Sequence, residues 1–272
     1  MLYSPVLSFF RIVPLLLWTL FCCIMHIMFF LFSKKNFFLF YRLFFRGLVN
    51  IFGIKIKFSG IPEKENVFFV SNHISYLDIL ILGSMIDGLF IAKSEIKSWP
   101  LINKIAALGK TIFVNRKEIL NVKEQMNIVG STLRQGYNVI LFPEGTSSDG
   151  SRVLPFKSSL FGLVDFEDNK DYKIQPISIF YSKLDGVPVE KKFRPLFAWF
   201  GSMDLISHAW KFLGLGVSEV KINFHSSKKF SSFKDRKDSC RYCYNTISDQ
   251  ISKNYGTFEV DNKVKLNEFK FL

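Results

Sequence analysis

The sequence has few of the residues from which metal sites and disulfide frameworks are built. Its 272 residues include four cysteines, and only Cys240 and Cys243 have the CxxC spacing that metal sites use. A zinc ribbon needs a second pair of this kind, and the sequence has none. So few cysteines do not indicate a disulfide framework, which favours a reducing compartment for the main body. No metal site is therefore predicted.

Acidic residues are missing from the N-terminal part of the chain. The first Asp or Glu is Glu63, whereas the first 58 residues contain seven Lys or Arg. The whole chain has a formal net charge of +13, which attracts acidic partners such as nucleic acid or an anionic bilayer. The sequence contains no zinc-finger spacing, RNA-binding signature or basic recognition helix, so the membrane surface is favoured and nucleic acid is not an expected partner.

The first long apolar run covers residues 13–32, which include no charged side chain. About 20 such residues, at 1.5 Å each, cross about 30 Å of hydrocarbon as a helix. Arg11 precedes the run, and Pro14 falls where a first-turn proline is tolerated. A cleaved signal peptide is the alternative, but the run is long for one and no A-x-A-like site follows it. The run therefore predicts a membrane-spanning helix.

A second segment, residues 36–54, is rich in phenylalanine and has Arg42 and Arg46 one helical turn apart. This pattern is typical of a helix at a membrane surface, with cations at the headgroups and aromatic rings in the acyl region. The two segments could form one span plus one surface helix, or a hairpin that dips into one leaflet. We predict a membrane anchor at residues 1–55 and a second domain at residues 56–272.

Short apolar runs alternate with longer amphipathic ones in the second domain. The predicted strands are residues 67–70, 89–92, 110–114, 138–142, 174–180 and 217–224; the predicted helices are residues 77–85, 99–108, 118–135, 158–164 and 235–252. This alternation predicts an α/β fold with a mixed, mostly parallel sheet flanked by helices, after an N-terminal membrane-anchoring helical segment. Pro176 inside a predicted strand implies a sheet edge or a bulge.

His73 and Asp78 are the first candidate catalytic pair, just after the strand predicted at residues 67–70. Five residues of ideal helix turn the chain by about 500°, so within one helix the two side chains would not share a face. The pair can meet if His73 lies in the turn and Asp78 in the first helical turn. The carboxylate would then fix the imidazole tautomer and leave the other nitrogen as a general base. The alternative is a turn histidine and an unrelated capping aspartate.

Two further groups follow predicted strands, where α/β folds bind ligands. Glu144 and Gly145 belong to the run Phe142-Pro143-Glu144-Gly145-Thr146, which offers a carboxylate and a backbone that a ligand can approach closely. Arg116 follows the strand predicted at residues 110–114 and could bind a phosphate with two parallel hydrogen bonds. The alternatives are an ordinary Pro-Gly turn and a solvated surface arginine.

Taken together, these motifs resemble those of a known enzyme family. They are Asn-His-x-Ser-x-x-Asp at 72–78, Gly-x-x-x-Phe-x-x-Arg at 109–116, Phe-Pro-Glu-Gly-Thr at 142–146 and the proline-containing strand at 174–178. In this order they resemble the four motifs of the glycerolipid acyltransferase family, which includes 1-acylglycerol-3-phosphate acyltransferases. The HxxxxD pair alone is common, but its combination with the third motif is specific.

The resemblance implies a role for each matching residue. His73 would deprotonate the acceptor hydroxyl as it attacks a thioester, Asp78 would orient His73, and Arg116 would bind the acceptor phosphate. The residues implied at the acceptor site are Glu144, Gly145 and Thr146. The acceptor would be a lyso-lipid and the acyl donor acyl-CoA or acyl carrier protein (ACP), and the resemblance implies no metal or other cofactor.

Ser147 departs from the family pattern, because many members that use lysophosphatidate have arginine at this position. The run through Asp149 and Gly150 looks closer to the lyso-ornithine lipid acyltransferase branch, in which Asp149 could pair with the acceptor's ammonium group. Arg116 is retained, so lysophosphatidate, giving phosphatidic acid, is the first expectation. Lyso-ornithine lipid is the second. Ser147 and Asp149 are thus the candidates for head-group selectivity.

Two other classes of protein remain as alternatives. A non-catalytic membrane lipid-binding protein would bind the lipid without turnover, and a hydrolase would release free fatty acid when no acceptor is present. The positive-inside rule places the cations that flank the apolar run in the cytoplasm, where thioester donors are found. The expected location is the inner (cytoplasmic) membrane, with the catalytic domain on the cytoplasmic side.

Overall fold

The computed structural model describes residues 3–32, 37–114 and 122–268. The helices in these ranges are α1 (Pro5–Phe32), α2 (Phe37–Ile51), α3 (Leu77–Met85), α4 (Ile102–Leu108), α5 (Val122–Arg134), α6 (Leu205–Leu213) and α7 (Arg236–Glu268). The strands are β1 (Ile54–Ser59), β2 (Val67–Ser71), β3 (Gly88–Lys93), β4 (Ile112–Val114), β5 (Asn138–Leu141), β6 (Lys173–Leu184), β7 (Val187–Pro188), β8 (Ser218–Phe224) and β9 (Lys228–Lys229). Short 3₁₀ helices include Ser94–Ser98, Ser158–Asp165 and Lys191–Leu196.

All the described strands join in one mixed sheet. Its order is β1-β8-β6-β2-β5-β3-β4, and β7 and β9 also pair with β6. The pairs from β6 through β2, β5 and β3 to β4 are parallel, as is β1 with β8, whereas β8 runs antiparallel to β6. The predicted fold class is confirmed. Because β2 and β5 are parallel neighbours, the loops that follow them emerge side by side at the carboxyl edge of the sheet.

The centre of the sheet is covered on both faces. Every residue of β2 and β5 is buried, which explains why their sequences are continuous apolar runs rather than alternating ones. Phe68 of β2 packs edge-on against Phe161 and Phe230 on one face. Tyr41 of α2 donates a hydrogen bond to the carbonyl of Gly88 at 3.1 Å, at the start of β3. The core therefore holds the two motif-bearing strands rigidly.

Helix α2 packs against α3, so its two arginines have protein partners. Arg42 forms an ion pair with Asp87 at 2.8 Å, and Arg46 donates to the carbonyl of Ser84 at 3.2 Å. The sequence pattern had assigned both cations to lipid headgroups. Periodicity gives the spacing of residues on a helix but not which neighbour each face meets, so Ser84 and Asp87 could not be foreseen as their partners.

Helix α1 begins at Pro5, earlier than the predicted residue 13, and it includes Arg11. The Arg11 guanidinium donates to the carbonyls of Leu213 and Leu215 at 3.1 and 2.7 Å, where α6 ends. A cation is stabilised at a helix C-terminus, and this contact explains how a charged residue fits inside α1. Pro14 consequently lies inside the helix and not, as predicted, in its first turn.

One face of α1 lies against the rest of the protein along most of the helix. Near its start, Ser8 donates to the carbonyl of Trp210 at 2.9 Å; further along, Trp18 donates to that of Phe44 at 3.0 Å. Near its end, the His26 and Phe37 rings are 5.4 Å apart. Residues 5–28 are the one stretch of the described residues long and apolar enough to cross a membrane. The outer face exposes Val6, Phe9, Phe10, Val13, Leu16, Leu17, Leu20, Phe21, Ile24, Ile27 and Met28.

Several secondary-structure predictions need correction. Strand β6 is an interior strand, not an edge, and its irregularity lies between Tyr181 and Lys183 rather than at Pro176. Pro176 falls between the parts of β6 that pair with β9 and with β8, where its missing N–H is not needed. Leu101 has a positive φ of 64°, so α4 begins at Ile102 and not at residue 99. Strand β1 and helix α6 were not predicted, and residues 118–121 of a predicted helix lie outside the described ranges.

The close approach of α2 and α3 depends on a glycine. A Cβ atom at Gly83 would lie 2.5 Å from the ring of Phe45. We expect Gly83→Ala to destabilise the protein by about 1–3 kcal/mol, because overpacking outweighs the better helix propensity of alanine. Gly256→Ala is the matched control, since Gly256 is also helical and has no neighbour within 4 Å of an added Cβ. Thermal unfolding in detergent should show a lower Tm for the first variant only, and equal Tm values would contradict the packing argument.

Candidate active site

His73 and Asp78 meet in the way that their spacing required. His73 lies in the turn after β2, and Asp78 lies in the first turn of α3. The distance between His73 Nδ1 and Asp78 Oδ2 is 2.9 Å. A histidine and a carboxylate joined in this way can act as a general base and its orienting partner.

The Asp78 carboxylate is fully buried and is held by hydrogen bonds from both sides. Besides His73, Oδ2 accepts the backbone N–H groups of Ile74 at 2.6 Å and Ser75 at 2.9 Å. Oδ1 accepts the hydroxyl of Tyr181 at 2.8 Å. An ionised carboxylate accepts but does not donate, so this network assigns the proton of Nδ1 to the bond with Asp78. Nε2 of His73 is then left with a free lone pair.

The His73 ring is clamped on one face and remains accessible. It stacks on Phe142 with centroids 4.1 Å apart and an interplanar angle of 18°, and Phe142 stacks in turn on Phe90. The His73 side chain is 17% exposed to solvent. The stacked column fixes the plane of the imidazole, so Nε2 can be presented to a substrate in one orientation.

Glu144 links the two motif loops, which are the turn after β2 that carries His73 and the loop after β5 that carries Glu144 itself. Its side chain is buried, with 4% exposure; Oε1 accepts the N–H of His73 at 2.8 Å and Oε2 that of Leu154 at 3.0 Å. Burial raises the pKa of Glu144 to about 8, and the charge of Asp78 acts in the same direction, although the two N–H donors oppose the shift. Both oxygens are thus engaged within the protein, and the predicted contact of Glu144 with an acceptor stays a prediction.

The loop after Glu144 is tied to the backbone of His73. Gly145 has a φ of 78°, a left-handed conformation that favours glycine, and this turns the chain back toward β2. Ser148 donates its N–H to the carbonyl of His73 at 3.0 Å, and its Oγ accepts the N–H of Gly150 at 3.2 Å. Tyr255 of α7 donates its hydroxyl to the carbonyl of Gly150. A chain of hydrogen bonds therefore joins the C-terminal helix to the turn that carries His73.

The predicted acceptor and head-group residues occupy the outer part of this loop. Thr146 is exposed, whereas the Ser147 hydroxyl donates to the carbonyl of Trp199. Oδ1 of Asp149 accepts the N–H and the hydroxyl of Ser151 at 2.9 and 2.7 Å.

Asp149 is ionised at neutral pH. Burial opposes ionisation, but the hydrogen bonds from Ser151 and the nearby charges of Arg194 and Lys191 outweigh it and lower the pKa of Asp149. The Arg194 guanidinium lies 4.0 Å from the centre of the Tyr255 ring. The outer loop thus presents a carboxylate beside a group of cations.

One predicted site residue, Arg116, lies outside the described residues, which end at Val114 on this side of the site. Within the described part of the chain, no group of three or more His, Cys, Asp or Glu residues could hold a metal ion.

Sequence reasoning missed several residues that build the site. Tyr181 shares a face of β6 with Ile177 and Ile179, and a tyrosine among apolar residues in a buried strand was an available signal. Tyr255 lay beyond the predicted end of the last helix. Phe142 and Trp199 carried no signal, because ring stacking on His73 and a backbone acceptor for Ser147 depend on the folded chain.

The raised pKa of Glu144 predicts a pH-dependent stability. A carboxyl group with a higher pKa in the folded than in the unfolded chain stabilises the fold fully below its unfolded pKa, near 4.5, and this contribution is lost as pH rises toward 8. The free energy of unfolding should fall by about 2 kcal/mol between pH 6 and pH 8 through this group. Glu144→Gln should lack this decline, although it costs about 1–3 kcal/mol at pH 6 because its amide faces a backbone N–H.

Chemical denaturation in detergent at pH 6 and pH 8 measures the difference between the two proteins. The exposed Glu190→Gln variant is the control and should keep the wild-type slope. An equal pH slope for wild type and Glu144→Gln would contradict the assignment.

Comparisons with known proteins agree with this geometry. A family model described as Acyltransferase matches residues 54–180, which include His73, Asp78 and the third motif. The crystal structure of the 1-acyl-sn-glycerophosphate (LPA) acyltransferase from Thermotoga maritima superposes with a TM-score of 0.68, covering 91% of this chain and 94% of that one. At 18% identity this likeness supports the fold alone.

Curated relatives extend the similarity. A lyso-ornithine lipid O-acyltransferase of Rhizobium meliloti is 34% identical over 74% of this chain and 71% of its own length. Its counterpart in Brucella abortus is also 34% identical, over 75% of this chain and 78% of its own length. A 1-acyl-sn-glycerol-3-phosphate acyltransferase of Neisseria gonorrhoeae is 33% identical over 60% and 61%. The motif resemblance is thereby confirmed: the chain belongs to the glycerolipid acyltransferase family.

Proposed function

We propose that this protein transfers a fatty acyl group from a thioester to the free hydroxyl of a lyso-lipid, and that lyso-ornithine lipid is the favoured acceptor. The observation that carries the proposal is the 2.9 Å contact of His73 Nδ1 with a fully buried Asp78, which leaves Nε2 free at an accessible ring edge. This arrangement suits removal of a proton from a hydroxyl group.

In the proposed reaction the acceptor hydroxyl donates a hydrogen bond to Nε2 of His73. As the oxygen attacks the thioester carbonyl carbon, its proton passes to Nε2 and a tetrahedral intermediate forms. Collapse of this intermediate breaks the carbon–sulfur bond, and the proton on Nε2 passes to the departing thiolate. The products are an ester and a free thiol, and His73 is neutral again.

Asp78 supports both proton transfers without changing its own protonation. It keeps the Nδ1–H tautomer before the attack and stabilises the imidazolium afterwards. The hydroxyl of Tyr181 and the N–H groups of Ile74 and Ser75 hold the carboxylate in place while the charge on His73 changes.

Three observations favour lyso-ornithine lipid as the acceptor. The lyso-ornithine relatives from Rhizobium and Brucella match about three quarters of the chain, whereas the lysophosphatidate relative from Neisseria matches 60%. Ser147 stands where many members that use lysophosphatidate have arginine, and its hydroxyl donates to the carbonyl of Trp199. The ionised Asp149 suits the ammonium group of an ornithine head group. These points reverse the order of acceptors that the sequence suggested.

Lysophosphatidate is the second candidate acceptor, supported by the Neisseria relative and by the retained Arg116. Acyl-CoA and acyl carrier protein are both donors to be tested. A lipid-binding protein without activity and a hydrolase are the remaining alternatives. The Asp78-held His73 disfavours the first, because binding alone needs no oriented base.

We further propose that α1 lies in one leaflet at the cytoplasmic side of the inner membrane. Its inner face contacts α6, α2 and the ring of Phe37 along most of its length, while its outer face is apolar and exposed. A helix that crossed the bilayer in this position would carry the attached polar body into the hydrocarbon, at a large cost. The hairpin alternative is therefore preferred to the predicted single span.

An acyl-transfer assay over a panel of lyso-lipids, with both donors, tests the proposal. We expect ester formation with the fastest turnover on lyso-ornithine lipid, and about a 10²–10⁴-fold loss in His73→Ala because the general base is removed. His225→Ala is the control, since His225 contacts Ser178 of β6 and not Asp78. Full activity of His73→Ala, or fatty acid release without any acceptor use, would end the proposal.

Tyr255 should act as a positioning residue through Gly150 and Ser148. We expect Tyr255→Phe to lower kcat about 3–10-fold with little change in KM, because loss of one hydrogen bond of about 1 kcal/mol loosens the turn that carries His73. Tyr242→Phe is the matched control: its hydroxyl on the same helix donates to the carbonyl of Ser226 at 2.9 Å. Steady-state kinetics and Tm values for both variants separate the effects, and equal kcat values would contradict this role.

A further inference from the structure

A stretch of chain beside Trp199 exposes apolar side chains in the described part of the structure. It consists of the 3₁₀ helix Ser94–Ser98, the turn 99–101 and α4, and neither helix contains a buried side chain. Leu101 is 72% exposed in a left-handed conformation. The segment is half-buried rather than part of the core, and exposed apolar side chains of this kind mark surfaces that contact a partner or a membrane. We name residues 94–108 the α4 segment.

The α4 segment borders the active site through a pair of tryptophans. The rings of Trp99 and Trp199 meet edge to face with centroids 6.1 Å apart. Trp199 donates its backbone N–H to the carbonyl of Ile74 at 3.0 Å and accepts the hydroxyl of Ser147. The tryptophan pair is thus attached to both motif loops.

Helix α6 lies near the same tryptophan pair, because His208 of α6 and Trp199 both contact the ring of Tyr76. Both α4 and α6 contact α1, and Trp99 precedes α4 as Trp199 precedes α6. Ile206, in the first turn of α6, is 79% exposed. Exposed apolar residues therefore occur on α4, on α6 and on the outer face of α1, which both shorter helices contact.

The charge of this region indicates what covers it. Residues 93–110 contain four lysines, Lys93, Lys97, Lys104 and Lys110, and one acidic residue, Glu95. Lys97 and Lys110 lie over aromatic rings at 5.3 and 4.7 Å from the ring centres, so their stems run along apolar groups. Exposed apolar side chains suit the acyl region of an anionic lipid surface, and the surrounding lysines suit its headgroups.

We propose that the α4 segment and the first turn of α6 insert into an anionic lipid surface, which brings the lyso-lipid next to the tryptophan pair that contacts both motif loops. This inference rests on the proposed function, because it assumes a lipid acceptor. It adds a second site of membrane contact to the N-terminal helices. The acceptor would then move from the bilayer to the catalytic turn without crossing water.

Glutamate substitutions at Leu101 and Ile206, which we call the two tips of the surface, test the inference. Leu101→Glu and Ile206→Glu are compared with Ile61→Glu, because Ile61 is 82% exposed and precedes β2, at the opposite edge of the sheet from the motif loops. Each variant is assayed with a long-chain lyso-lipid in vesicles that contain phosphatidylglycerol, and with a short-chain, water-soluble analogue of the same acceptor. Flotation with the same vesicles measures binding, and Tm measures folding.

We expect Leu101→Glu and Ile206→Glu to lower kcat/KM at least 10-fold for the vesicle-bound acceptor and less than 2-fold for the soluble one. Ile61→Glu should match the wild type in both assays. The inference is overturned if the tip variants match Ile61→Glu, or if they lose activity equally on both acceptors. It is also overturned if the loss occurs with acyl carrier protein and not with acyl-CoA, which would indicate a protein partner.

The two proposals fail in different ways. If the wild type transfers no acyl group to any acceptor, the proposed function is wrong. Flotation still tests the surface in that case: weaker vesicle binding by Leu101→Glu than by Ile61→Glu supports membrane insertion, and equal binding refutes it.

Discussion

A buried carboxylate is the constraint on which the site depends. An unpaired charge in the interior is very costly, so the fold must supply donors to both oxygens of Asp78. The turn after β2 supplies the imidazole of His73 and two backbone N–H groups, and Tyr181 of β6 supplies its hydroxyl. Tyr181 reaches Asp78 because β6 is the parallel neighbour of β2 and extends beyond its end. The order of the strands therefore determines which donors hold Asp78, and Asp78 in turn determines the tautomer of His73.

The sequence predicted those features that depend on local pattern or on the chemistry of a short segment. The strand before His73 is buried and apolar, the helix at residues 77–85 was placed at its observed bounds, and the His73–Asp78 contact follows from a turn of the right length. Features that depend on distant segments could not be predicted. Tyr181 and Tyr255 are 103 and 105 residues from their partners, and no periodicity encodes such contacts. Pro176 misled for the same reason, because its neighbours β8 and β9 come from elsewhere in the chain.

The N-terminal helices and the body are more closely joined than the division at residue 55 implies. Strand β1 begins at Ile54 and pairs with β8, while α2 buries Tyr41 and Phe45 against the body. Arg11 completes the hydrogen bonding at the end of α6. The N-terminal helices and the sheet that carries His73 are therefore one packed unit, and the distance between them is set by the fold.

The bridge made by Glu144 has a consequence for how such an enzyme can diversify. Because its carboxylate holds the N–H of His73 on one side and that of Leu154 on the other, both ends of the intervening loop are pinned independently of its middle. The hydrogen bonds of the Asp149 side chain are to Ser151 within the same loop, so these two residues can be exchanged without displacing the imidazole. Related enzymes could then change their preference for the acceptor head group through a few substitutions in this loop, while the position of His73 stays the same.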